Sequence, residues 1–197
     1  MRALGTFLLV VFAALVIGAG SAIYVVADVE IAPDVRIGPW HSSQHVGGSE
    51  AGLYRRAMIA RTAMLALTRE EAVYFIASTD DAGQALTSSC RYSVVGADMP
   101  ARWWSITVYG PDYYLVPSET NKYSYTKTDM QAAGQQDFLF ELARTGGAVG
   151  QSSPVMISGN HADAKFSLLL RLYHPDASVL DAPGALALPQ ITNLGCV

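Results

Sequence analysis

No stretch of this sequence is basic. Lysine and arginine together number 13 against 17 acidic residues, the net charge is −4, and no run of either cation occurs. Nucleic-acid binders carry a basic stripe and anionic-lipid sensors a polybasic segment, so neither role is expected. Cysteine is almost absent. Cys90 and Cys196 are too few for a thiolate zinc site and too far apart for a CxxC redox pair. Gly-x-Ser-x-Gly occurs nowhere: Gly47-Gly48-Ser49 lacks the pattern and Gly150-Gln151-Ser152-Ser153-Pro154 ends in proline, which excludes a nucleophile elbow. Carboxylates for glycoside hydrolysis would come from Asp98, Asp112, Glu119, Asp137, Glu141 or Asp163. None is marked by its neighbours, and surface solubility explains them all. His41 and His45 have the four-residue spacing of two ligands on a helix. Gly38-Pro39 before them and Gly47-Gly48 after them place them instead in a loop. They are the chain's best metal candidates, yet no metal, cofactor or catalytic residue is assigned, and the balance is against an enzyme.

What is present begins with residues 3–27, a run of 25 without a charge. About 20 residues cross a hydrocarbon layer of roughly 30 Å, so the run is long enough to span a bilayer. A signal peptide has a shorter apolar region, about 7–15 residues, although Gly20-Ser21-Ala22 offers a small-residue cleavage site. Arg2 precedes the run and Asp28 and Glu30 follow it. The positive-inside rule then predicts a single-pass inner-membrane anchor over 1–28, a cytoplasmic N-terminus and a periplasmic body.

Residues 29–39, with two prolines and no helical period, read as an extended tether, and residues 40–48 as a polar loop around Trp40. Ser49 is placed to cap a helix over 50–67, in which Tyr54, Met58, Arg61 and Leu65, with Ala57 and Met64, form a stripe expected to lie on a sheet. Strands are predicted over 72–78, 86–95, 138–143, 154–158 and 166–173. The chain is organised around a hairpin over 101–125. Trp104, Ile106 and Val108 alternate with Ser105, Thr107 and Tyr109, Gly110-Pro111-Asp112 turns, and 113–116 returns as a second strand. Residues 126–134 read as a loop or short helical turn. Tyr-x-Pro-Asp recurs at Tyr109 and Tyr173. Short strands between turn signals predict a mainly β fold, a jelly-roll-like β-sandwich over 40–197 with one packed helix.

Gly38-Pro39-Trp40, Tyr54-Arg55-Arg56-Ala57, ARWWSITVYGPDYYLVP, NKYSY, FSLLLRLYHP and a C-terminal Leu-Pro-x-Ile before Cys196 together resemble the bacterial family known as domain of unknown function 1214, in a short membrane-anchored form. The resemblance runs from about Gly38 to the C-terminus. It implies a jelly-roll-like domain and, as partner, a protein of the domain of unknown function 1254 type or a larger membrane assembly. It brings no catalytic residues. Two departures stand out: the family's Asp-Gly-Tyr turn reads Asp112-Tyr113-Tyr114 here, and Gly159-Asn160-His161-Ala162-Asp163 replaces a tryptophan-containing segment.

Trp103, Trp104, Tyr109, Tyr113, Tyr114, Tyr123 and Tyr125 concentrate aromatic surface near one hairpin. Trp103, Trp104, Tyr113, Tyr114 and Tyr123, with Arg171, are the candidate binding residues. Against this, alternate members of such a strand belong to the core and others pair across strands. Arg102 and Arg171 are expected to find Asp112 or Asp176. The function expected is an accessory or interaction subunit, held to the bilayer through residues 3–27 and bound to a protein; the alternative is an envelope saccharide- or lipid-binding protein or hydrolase. In an oxidising compartment Cys90 and Cys196 are expected to pair and tie the proline-rich tail across the sheet.

Overall fold

The computed structural model describes residues 2–28, 32–43, 47–48, 51–61, 66–118, 121–143, 155–156 and 164–196. His45, the Ser49 cap, Met64, Leu65, Glu119, His161 and Asp163 lie outside them. Helix α1, Arg2–Asp28, is 27 residues long and none of its apolar window is buried. Its length and composition fit a membrane span, and fit a signal segment by the same measure.

The rest is mainly β. One sheet has six antiparallel strands in the order β1 (Val35–Ile37), β2 (Trp40–Ser42), β3 (Ala72–Ala77), β9 (Ser167–Pro175), β5 (Ala101–Tyr109) and β6 (Ser124–Thr126). The other runs β10 (Gln190–Cys196), β4 (Cys90–Ala97), β7 (Asp137–Ala143) and β8 (Val155–Met156), antiparallel except for the parallel β7–β8 pair. The sheets share one core. Val73 and Phe75 of β3, Trp104, Ile106 and Val108 of β5 and Leu168, Leu170 and Leu172 of β9 meet Tyr92 and Val94 of β4, Phe138, Phe140 and Leu142 of β7 and Ile191 of β10. The spacing of two along each strand puts these residues on one face, which is what closes a sandwich. Ser105 and Thr107, on the other face of β5, are buried as well. The middle of the large sheet is therefore covered on both sides, and a second small cluster of Ala72, Tyr74 and Leu169 forms there.

Aromatic rings fill the centre of the sandwich. Trp104 lies 4.9 Å from Phe138 and 6.2 Å from Tyr125, and Tyr125 stacks on Phe140 at 4.7 Å. Such ring pairs contribute about 0.5–1.5 kcal/mol each beyond burial. Gly96 stands opposite Phe138 in the β4–β7 register. A Cβ there would sit 2.8 Å from Phe138 Cζ and 3.2 Å from Pro189 Cβ, so only glycine lets the ring lie flat across the strand.

Several expectations are corrected. Residues 35–37, read as extended tether, are the first strand of a hairpin, and Trp40 is in the core, not in a polar surface loop. Its indole Nε1 donates to the Pro189 carbonyl at 2.7 Å. The C-terminal tail is itself a strand, with Ile191 the one buried member of β10 and Asp81 clamping it from both sides: the Asp81 N–H donates to the Ile191 carbonyl at 2.9 Å, and Asp81 Oδ2 accepts from the Ile191 N–H at 2.8 Å. The second hairpin arm shrinks to one bridge, Tyr109 with Leu115, and the ladder partners of β5 are β9 on one side and β6 on the other. Within the described residues helix α2 covers Leu53–Arg61, and it buries no residue there. It packs chiefly on α1, and three arginines in nine residues leave too narrow an apolar stripe for a broad seat on a sheet. The helices that do reach the core are short: α3 (Lys127–Ala132) through Met130, and α4 (Ala177–Asp181) through Val179. The two Tyr-x-Pro-Asp motifs are unrelated in structure, one leaving β5 in a turn and the other closing β9 before α4.

Cys90 and Cys196 face each other in the β4–β10 register and form a disulfide. Its sequence separation is 106, for which loop closure predicts roughly 4–5 kcal/mol of stabilisation. Cys196→Ser should lower the unfolding free energy from urea denaturation by an amount of that order, and dithiothreitol should bring wild type to the variant's urea midpoint without affecting the variant. Gly96→Ala should cost about 1–3 kcal/mol, because a packed aromatic core accommodates an extra methyl poorly; equilibrium denaturation with an unchanged midpoint would contradict this.

Candidate functional site

The candidate residues separate by strand geometry into a core group, an outer-face row and a hairpin tip. Trp104 belongs to the first. It is fully buried, its Nε1 donating to Asp98 Oδ1 at 2.8 Å, and it is removed from the binding set because alternation on β5 turns it inward. Tyr125 is core for the same reason.

Trp103, one residue earlier, faces out. It pairs with Tyr173 across β5–β9, with ring centroids 5.4 Å apart, and its Nε1 donates to Thr128 Oγ1 at 3.0 Å. The next pair on that face is Ser105 with Arg171. Arg171 meets neither Asp112 nor Asp176 as its ion-pair partner: its Nη2 donates to the Tyr109 hydroxyl at 2.9 Å, with the guanidinium 5.4 Å from that ring's centroid. Cation–π contact and a charge-assisted hydrogen bond suit an arginine on a sheet rich in tyrosine. Tyr74 completes the row, its hydroxyl accepting from the Leu67 N–H at 2.9 Å, and burial pushes its phenol pKa up.

The tip is built differently. The Tyr113 N–H donates to the Gly110 carbonyl at 3.0 Å and the Gly110 N–H to the Tyr114 carbonyl at 2.9 Å, a three-residue loop closed on itself. Asp112 Oδ1 accepts from the Tyr114 N–H at 3.1 Å. Such a loop needs a left-handed residue in third place, and Tyr113 fills it at φ 65°. This is the position where the family turn carries glycine. A side chain in that conformation costs about 1–2 kcal/mol. Tyr113, Tyr114 and Leu115 are 43%, 75% and 45% exposed. Tyr123 lies alongside, half-buried, its carbonyl accepting from the Val108 N–H.

Six residues of strand, about 20 Å at the usual rise, separate Trp103 from Tyr109, so the aromatic concentration seen in sequence is not one surface. His41 sits in β2 opposite Arg36 and Ile76. Among the described residues no group of three histidine, cysteine, aspartate or glutamate side chains could hold a metal. A concavity beside Ser43, Leu67, Arg69 and Tyr74 has room of about 10 Å³, the size of one water.

Sequence patterns left two anchoring carboxylates unmarked. Burial raises the pKa of Asp98, but hydrogen bonds from Trp104 and from Lys127, whose Nζ is 2.9 Å away, outweigh it and hold the group below its ordinary value. Asp129 behaves alike. Burial opposes ionisation, while Lys122 at 2.6 Å and the hydroxyl and N–H of Thr126 in the α3 capping box lower the pKa. Depressed carboxyl pKa values contribute stability that is complete above the unfolded aspartate value, about 4, and is lost as pH falls through the folded values. The thermal midpoint should therefore drop steeply on acidification below about pH 4, and Asp98→Asn should flatten that drop. Parallel acid profiles for wild type and variant would exclude Asp98 as a source.

Among solved structures, the VPA0106 protein from Vibrio parahaemolyticus matches with TM-score 0.55 and 21% identity, over 74% of this chain and 36% of that one. It shows a shared fold, and this chain spans little more than a third of its length. A putative uncharacterized protein from Burkholderia cenocepacia matches at TM-score 0.44 and 13% identity, over 89% of this chain and 40% of that chain, too distant for any argument. No curated protein matches. A family model does, over residues 71–177, from β3 through β9 and both aromatic strand motifs. That is 107 of 197 residues, and the chain belongs to the family described as "Protein of unknown function (DUF1214)".

Proposed function

We propose that this protein is an accessory subunit, anchored in the bacterial inner membrane by residues 3–27 with its β domain in the periplasm, and that the domain binds a protein partner through the β5 hairpin tip. The observation that carries the reading is Tyr113. Tyr113 is held at φ 65°, and with Tyr114 and Leu115 it is presented to solvent. Backbone strain kept beside exposed aromatics is the pattern of a contact site, where tyrosine supplies area at small entropic cost. The concavity near Tyr74 has room for about one water and does not itself suit a sugar or lipid, whereas the exposed Tyr113, Tyr114 and Leu115 suit a protein contact. The part of the chain that shares the Vibrio protein's fold covers 36% of that protein. A separate chain supplying the remainder, of the domain of unknown function 1254 type that the family resemblance implies, is the natural partner.

The test is affinity purification in mild detergent with identification of co-purifying chains. Tyr114→Asp should abolish capture while leaving the thermal midpoint unchanged, since the side chain is exposed. Tyr113→Gly should also weaken capture yet raise stability by up to about 1 kcal/mol, because it relieves the left-handed strain. Undiminished capture by a folded Tyr114→Asp protein would refute the tip as the contact.

A further inference from the structure

Helix α2 is where this protein departs most from a soluble domain. Its nine residues bury nothing. Its last residue, Arg61, donates through Nη1 to the carbonyls of Val26 (3.1 Å) and Ala27, the final turn of α1. Carbonyls at a helix C-terminus have no intrahelical donor, so an arginine there both satisfies them and complements the helix dipole. The bond also fixes the height of α2. If α1 spans the bilayer, its last turn emerges at the headgroups, because 27 residues at about 1.5 Å each exceed a hydrocarbon layer of roughly 30 Å. Tyr24, 62% exposed near that end of α1, is the residue type that marks such a boundary. Whatever α2 turns outward therefore meets the membrane surface.

What it turns outward suits that location. On the helical repeat Leu53, Ala57 and Ala60 fall in one line, flanked by Tyr54 and Arg61 on one side and Arg56 on the other. All six are exposed, with Leu53 at 83%. Arg55, Met58 and Ile59, on the opposite side, are half-buried. A narrow apolar strip with Tyr54 at one edge and Arg56 at the other is the composition of a helix lying in the lipid interface, the Arg56 stem in the acyl boundary and its guanidinium at the phosphates, while Arg61 is engaged by the α1 carbonyls. We infer that α2 is an interfacial helix that lies on the outer leaflet beside the anchor, inserting Leu53 and Ala57 and placing Arg56 at lipid phosphates. The domain is thereby docked on the membrane at a set height, not suspended from a tether. The inference rests on α1 being a retained membrane span.

Depth measurement on the full chain separates the two ideas. Nitroxide labels are placed at Leu53→Cys, Ala57→Cys, Leu15→Cys and Gln135→Cys, without reductant so that Cys90–Cys196 stays closed. Each protein is reconstituted in vesicles of phosphatidylethanolamine and phosphatidylglycerol, and collision with oxygen is compared with collision with a water-soluble nickel chelate. The label at Leu15 should be deep in the bilayer and that at Gln135 open to nickel. Labels at Leu53 and Ala57 should be oxygen-accessible and nickel-shielded, about 5–10 Å into the headgroup and acyl boundary. Adding Arg56→Glu to Leu53→Cys should raise nickel collisions severalfold, and an unchanged depth would overturn the phosphate contact. Labels at Leu53 and Ala57 as open to nickel as that at Gln135, with Leu15 embedded, would overturn the inference alone. Shielding from both reagents would mean that a second protein chain covers the strip, and would overturn it too. A water-exposed Leu15 label, or a chain lacking residues 1–22, would remove the anchor and the inference with it.

Discussion

The sandwich depends on one block of aromatic rings. Trp104, Tyr125, Phe138 and Phe140 occupy the space between the sheets, and they come from three strands and both layers. A tryptophan can be buried there because its one polar atom is satisfied by Asp98, outside the rings. Asp98 in turn is held by Lys127 at the start of α3, and Lys127 also donates to the Ala101 carbonyl. The bonded chain Trp104–Asp98–Lys127–Ala101 closes around the first residues of β5. Gly96 belongs to the same design, since the ring opposite it needs the space a side chain would take.

A second set of contacts closes the ends of the chain. Trp40 reaches from the second strand to Pro189, Asp81 brackets Ile191, and the Cys90–Cys196 bond fastens the last strand to its neighbour. Each joins segments far apart in sequence. β10 is an edge strand with one buried residue, so packing alone would hold it weakly. The disulfide lies at its far end, where the strand is exposed. This division of labour, with polar clamps where the strand enters the core and a covalent tie where it leaves, makes a tail with two prolines into a strand.

The two contact surfaces proposed for this family member lie where the fold asks for nothing. The outer-face row of Trp103, Tyr173, Arg171, Tyr109 and Tyr74 is satisfied internally by ring contacts and hydrogen bonds. The hairpin tip and the exposed strip of α2 are not used in this way. One is strained and the other apolar in water, and both become intelligible if something outside the chain covers them, a protein at the tip and lipid at the helix. Together they would place the domain between a membrane surface and a partner.

By itself the sequence determined what depends on neighbours along the chain. The uncharged run of 3–27, the strands at 72–77 and 137–143, the β5 alternation and the turn at 110–112 were all legible, because period, composition and turn chemistry are local properties. The pairing of the only two cysteines followed from their number and the inferred compartment. Tertiary structure alone decided the rest. Val35–Ile37 and Gln190–Cys196 are strands only because a partner strand or a clamp supplies their hydrogen bonds, so their own sequences carry little β pattern. The helix expected on the sheet went to α1, since Arg61 found two carbonyls there that no sequence spacing announces. Trp104 shares its phase on β5 with Ile106 and Val108, a local pattern; that its ring packs on Phe138 of the opposing sheet is not local, because nothing along the strand specifies how the two layers meet.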